Sequence, residues 1–281
     1  MEYLFLSAAV ICSALLSITA ASFNRHNKKG LSGLYNLILC VSSFTVWLVA
    51  FLLNPEISTG VLLYSVVFGL FYVVAFVGVF NAMANGSPSL TAFMKPLSLI
   101  AVSLWGVTFW NNPVSQTLVL GLVLVIVSLW LCFNPRNTSK PSLKWYFFAL
   151  LIIVGNAGCS LVQKYQQIRF NGEFETLLML GATGSSVIFC LIIYLKGERK
   201  KALKSTLTLP VIAGISSAFL NVFVLQLILS PIPESVFFPI IGVGGVLLAV
   251  LFSVVKYKEK LTLLQWGGLA IGVIAIIFLN L

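Results

Sequence analysis

Apolar residues fall into ten long windows, 3–22, 31–53, 61–84, 88–110, 114–133, 143–169, 175–195, 208–229, 233–255 and 262–281, each interrupted by only occasional polar residues. A helix needs roughly 20 apolar residues to cross a bilayer core, so every window predicts one crossing. The breaks carry turn chemistry: Asn54-Pro55, Asn85-Gly86-Ser87-Pro88, Asn111-Asn112-Pro113, Asn134-Pro135-Arg136, Asn171-Gly172 and Ser230-Pro231. Basic stretches break the rest, from Arg25 to Gly30, around Lys200, and from Lys256 to Lys260. The pattern predicts an all-α integral membrane protein of ten transmembrane helices.

Composition agrees. The 281 residues are 59% hydrophobic and 9% charged, against about 45–50% and about 25% in soluble domains. A soluble enzyme or binding module is excluded, and ten spans leave no room for a separate aqueous domain. Cys12, Cys40, Cys132, Cys159 and Cys190 all sit in apolar runs, where a thiol packs as a small residue, so no disulfide framework is expected. Met1, Glu2 and Tyr3 lead straight into apolar residues without a basic n-region, so the first window is expected to remain as a span.

The net charge of +10 acquires meaning once the loops are numbered. Alternate loops hold Arg25, Lys28, Lys29, Arg136, Lys140, Lys144, Lys196, Arg199, Lys200, Lys201, Lys204, Lys256, Lys258 and Lys260; the opposite loops hold Arg169. Such a split is the positive-inside pattern. It predicts that the basic loops face the cytoplasm and both termini face out, in a plasma membrane of the bacterial inner-membrane kind. The positive charge is thus topogenic, and no nucleic-acid partner is expected.

The run from Pro88, PSLTAFMKPLSLIAVSLWG and then SQTLVLGLVLVIVSLWLCF, resembles the run from Pro233, PESVFFPIIGVGGVLLAVL and then TLLQWGGLAIGVIAIIFLN. Each begins with proline, has a phenylalanine five residues on (Phe93, Phe238) and a glycine in the next span (Gly121, Gly268). The offset is close to half the chain. Two five-helix repeats, 1–138 and 139–281, are therefore expected. Five is odd, so the second copy enters the membrane inverted, an arrangement typical of secondary transporters.

With Phe238, Pro239, the Gly242, Gly244, Gly245 cluster, Lys258-Glu259-Lys260-Leu261-Thr262, Gln265, Gly268 and Gly272 in view, the sequence resembles the drug/metabolite transporter superfamily, in its ten-helix EamA-like branch. The specific motif covers about a fifth of the chain, and the first half departs from it, with Asn112 near where an acid stands in the family. The resemblance implies a basket of two inverted bundles moving small metabolites by alternating access. Many members are thought to keep both termini in the cytoplasm; the charges here predict the reverse. Small four-helix exporters of the superfamily use a glutamate in the first helix, which has no counterpart between Tyr3 and Ser22.

Polar side chains inside spans are costly and are the default site candidates. In the fourth span Thr91, Lys95 and Ser98 share a face at i, i+4 and i+7. Lys95 lies about 10 Å in from Pro88, placed either to meet an anion or to snorkel to the interface. The sixth span carries the clearest stripe, Asn156, Ser160 and Gln163, with interhelical hydrogen bonding as the alternative role. Lys164, about 30 Å along that span, is expected to snorkel to the outer interface. Gly214, Ser217 and Asn221 align in the eighth span, Tyr72 and Asn81 lie in the third, and Ser13 and Ser17 in the first. Tyr72, Trp105 and Phe238 are candidate stacking surfaces. The Gly268–Gly272 step permits close helix approach and suits a homodimer contact through the last helix.

No P-loop, metal-ligand cluster or nucleophile–base pair stands at recognisable spacing, so no cofactor, pump or enzyme activity is expected. The expected function is secondary transport of a small polar or zwitterionic metabolite, amino-acid-like, nucleotide-like or otherwise bearing a carboxylate or phosphate. Lys95 would meet the anion, with Asn156, Gln163 and Asn221 as hydrogen-bonding groups. The alternatives are a quaternary-ammonium carrier with an aromatic cage and a non-transporting membrane scaffold subunit.

Overall fold

A computed structural model describes residues 1–27, 31–85, 88–110, 114–132, 143–196, 203–258 and 262–279. Several side chains within its helices, those of Thr91, Phe93 and Lys95 among them, lie outside the described part, as does the boundary near residue 138. Among the described residues the helices are α1 (Glu2–His26), α2 (Ser32–Leu53), α3 (Thr59–Asn85), α4 (Pro88–Phe109), α5 (Gln116–Cys132), α6 (Leu143–Arg169), α7 (Glu175–Lys196), α8 (Thr208–Ile228), α9 (Glu234–Tyr257) and α10 (Leu263–Leu279). A 3-10 turn, Lys204–Thr206, precedes α8. Seven of the helices are long and apolar enough to cross a membrane; the apolar stretches Ile100–Phe109, Gln116–Leu131 and Leu263–Phe278 are shorter.

Helix ends follow local chemistry. Chain direction after α2 is fixed by Asn54 before Pro55, a residue pushed out of the helical region by the proline ring. At the end of α1, the Asn27 amide donates to Phe23 O at 2.9 Å and to Thr206 Oγ1 at 2.9 Å, and its Oδ1 accepts from the Leu203 N–H at 2.9 Å. One side chain therefore ties the end of α1 to the start of α8.

The surface is unlike that of a protein in water, with many large apolar side chains exposed. Leu63, Leu70 and Ile188 are 67%, 61% and 64% exposed, while Gln166 and Gln167 are fully buried. That distribution is stable only if the surrounding solvent is apolar, since each polar group must find its partners inside. The chain is an all-α, multi-pass membrane protein. Helices in lipid gain little from hiding apolar surface and associate through packing contacts and hydrogen bonds. Small residues set the closest approaches: a Cβ added at Gly155 on α6 would stand 2.4 Å from the Ala75 backbone nitrogen on α3.

The helices pair α3 with α6, α5 with α10, α1 with α8 and α9, α2 with α7 and α8, α3 with α7, and α4 with α6 and α9. Advancing each helix five places along the chain returns the same set: α1–α8 becomes α6–α3, α1–α9 becomes α6–α4, and α2–α8 becomes α7–α3. The pairs α2–α7, α4–α9 and α5–α10 map onto themselves. The sequence runs that resemble each other thus form helices that pack on each other. On α10, Gly268 O accepts from Ser128 Oγ at 2.7 Å, and Gly272 faces Ser128 and Leu247. The Gly268–Gly272 step is therefore filled by α5 and α9 of the same chain.

Candidate functional site

Two apolar clusters make up most of the buried core. One draws on α1, α4, α5, α6, α8, α9 and α10 around Phe237, Phe238 and Val125; the other joins α2, α3, α6, α7 and α8 around Trp47, Val61 and Leu178. Between them lies a cavity of about 440 Å³, within the roughly 300–1,000 Å³ usual for small-molecule sites. Its wall combines Phe68 and Tyr72 of α3, Ser98 of α4, Asn156, Cys159, Ser160 and Gln163 of α6, and Ser217 and Asn221 of α8 with α1, α9 and the start of α10.

The sequence-derived stripes converge here. Asn156, Ser160 and Gln163 line the cavity with Ser217, Asn221, Ser98, Tyr72 and Phe238, and Ser13 and Ser17 complete the α1 side. Thr91 and Lys95 are on α4, but their side chains lie outside the described residues. Asn81 does not line the cavity; its amide donates to Val77 O of its own helix at 2.8 Å. Trp105 is also absent from the lining and stacks on Phe109 at 4.2 Å. Phe68, Cys159, Ser253 and Gln265 line the cavity although spacing alone singles out none of them as a site residue.

Hydrogen-bond chemistry fixes what the wall offers. A backbone carbonyl can only accept, so the atom of Asn156 that bonds Ile152 O at 2.9 Å is its amide nitrogen, and so is the atom of Asn221 that bonds Ser217 O at 2.8 Å. Asn221 Oδ1 then accepts from Gln163 Nε2 at 2.8 Å. One N–H of Asn156 and one of Asn221 are spent inside the protein, and each amide nitrogen carries a second. Among the described residues no donor bonds Asn156 Oδ1 or Gln163 Oε1, which remain as acceptors on lining residues about 10 Å apart along the α6 axis. Phe68 and Tyr72 lie nearly parallel beside them, centroids 6.0 Å apart. The wall suits a solute with hydrogen-bond donors and a flat or apolar face.

One expectation is corrected. Lys164 does not snorkel to the interface: its ammonium group pairs with the carboxylate of Glu234, the first residue of α9, with side chains 14% and 5% exposed. It also lies over the Trp110 ring, 5.5 Å from the centroid. A carboxylate at a helix N-terminus is favoured by the helix dipole, and a lysine that meets it has a better partner than distant headgroups. Trp110 packs edge-on against Tyr165 at 5.6 Å, and the Trp105 indole N–H donates to the Tyr165 hydroxyl at 3.4 Å.

No protein-family model matches the sequence, and no curated protein matches it. In three dimensions the chain is similar to a solved crystal structure of a protein, with a TM-score of 0.75 over 99% of this chain and 96% of that one, at 13% sequence identity. The shared feature is the fold, recurring over essentially the full length of both chains.

Proposed function

We propose that this chain is a secondary carrier for a small polar or zwitterionic metabolite, built on the plan of the drug/metabolite transporters as ten crossings in two inverted repeats, 1–138 and 139–281. The observation that carries the reading is the cavity itself: a polar-edged space of about 440 Å³ enclosed by helices of both halves in a protein that is otherwise apolar. The five-step correspondence of helix neighbours supports the repeat, and five crossings per half make it inverted. A cavity at the junction of two inverted halves is the position of a transporter site. The split of cations between alternate loops supports an orientation with both termini outside. Acceptors on Asn156 and Gln163 favour solutes carrying N–H or O–H donors, an amino-acid-like ammonium group among them.

A second reading, transport of a quaternary ammonium ion, draws on the Phe68–Tyr72 pair and Phe238 in the same wall. The two part at α6, because a quaternary ammonium has no N–H to donate. A thermal-shift screen of purified protein tests binding, since a ligand of the folded state raises stability by mass action. The expected result is a shift with a donor-bearing solute that disappears in Asn156→Leu. A shift confined to quaternary amines and kept in Asn156→Leu would favour the second reading. No shift with any amino acid, nucleotide, sugar phosphate or amine would argue for a scaffold.

A further inference from the structure

We propose that Lys164 and Glu234 form an ion-pair gate that closes one end of the cavity, and that they are positioning residues for the transport step. The inference rests on the carrier reading above. Helix contacts define two ends of the bundle. At one, Ser22 of α1 shares a hydrogen bond with the Tyr257 hydroxyl of α9 at 2.6 Å, and Arg25 lies over the same ring; this is the basic end. There the cavity lining reaches Ala21, Ser253 and Gln265, close to the helix ends.

At the other end the lining stops at Gln163 of α6 and Phe238 of α9. Lys164 directly follows Gln163, one turn beyond the lining residue Ser160 on the same face, and Glu234 stands one turn before Phe238 on the cavity's face of α9, so both lie just past the end of the wall. Trp110 and Trp105 at the end of α4, with Tyr165 of α6, cover the pair. Salt bridge and aromatic cover together join α4, α6 and α9, helices from both halves, across the closed end. A paired charge is tolerated there and an unpaired one is not. Separating the halves must therefore break this contact and hydrate both groups, which makes the pair a two-state element that holds the cavity closed on this side. With the basic loops inside, the structure is the inward-facing state.

The test uses full-length protein in oriented membrane vesicles, with native cysteines replaced and a cysteine introduced by Leu220→Cys in the cavity wall. A membrane-impermeant thiol reagent is applied from each side. Expected are labelling from the basic-loop side, and labelling from the far side that rises about tenfold or more in Lys164→Met and in Glu234→Gln, each of which breaks the buried ion pair. The double exchange Lys164→Glu with Glu234→Lys restores the pair, though against the helix dipoles, so far-side labelling falls below that of either single variant. General loosening is read by Ala213→Cys, at a fully buried position, which stays unlabelled throughout. Far-side labelling unchanged in the single variants, no recovery in the exchange, or labelling of Ala213→Cys in parallel would each overturn the gate. Labelling needs no known solute, so absence of solute flux would contradict the carrier reading and leave the gate standing or falling on its own result.

Discussion

Asparagines that look alike in the sequence have different work in the fold. Asn81 and Asn156 both donate to the carbonyl four residues back, yet only Asn156 lines the cavity. Among the described residues no donor bonds Asn156 Oδ1, so Asn156→Leu keeps the fold's stability while the ligand-induced thermal shift disappears. Asn221→Leu behaves differently, because Gln163, 3% exposed, loses its oxygen acceptor and keeps only the weak contact to the Met179 sulfur at 3.8 Å. A stranded amide costs about 1–3 kcal/mol, so this variant lowers the melting temperature as well as abolishing the shift, and one thermal-unfolding experiment with and without solute reads both effects. The polar stripe on α6 was legible in the sequence because a polar side chain in an apolar run must have a reason to be there. The partner of Lys164 was not, since Glu234 lies 70 residues away at the start of another window, and which helix ends meet is decided by packing.

At the level of elements, the ten windows match the helices to within a few residues, since crossing length and proline-bearing breaks are local properties. Which helix meets which is a property of packing. Gly268–Gly272 announces a close approach without naming the partner, and the partner is α5 of the same chain. Glycines also differ in what they permit. An added Cβ at Gly155 meets the α3 backbone, whereas at Gly267 it meets nothing within 4 Å. Gly155→Ala therefore forces α3 and α6 apart and destabilises by about 1–3 kcal/mol, as overpacking does. Gly267→Ala is neutral or stabilising by up to about 1 kcal/mol through helix propensity. Melting temperatures in detergent compare the two directly. The pairing of α2 with α7 has its own reporter, because the Cys40 and Cys190 thiols stand 3.7 Å apart. Mild oxidation followed by cleavage at a protease site placed within 133–142 should leave the halves joined on a non-reducing gel and separate on a reducing one; separation under both conditions would refute that pairing.

For the molecule as a whole, large apolar side chains cover the surface, the buried core is mostly apolar, and its polar side chains gather around the cavity between the two main apolar clusters. Orientation follows from charge alone and is checked at the turn between α6 and α7, where Glu173 is exposed. Glu173→Cys should react with an impermeant reagent from outside intact cells, and reaction only from the cytoplasmic side would reverse the topology. Carriage of solute is the central claim, and flux into liposomes tests it most directly. Purified protein is reconstituted, and uptake of labelled amino acids, nucleotides, sugar phosphates and quaternary amines is compared with that of empty vesicles. The account predicts that at least one solute enters faster through the protein and that Asn221→Leu removes the difference. If no solute in the panel crosses faster than into empty vesicles, the carrier reading is contradicted.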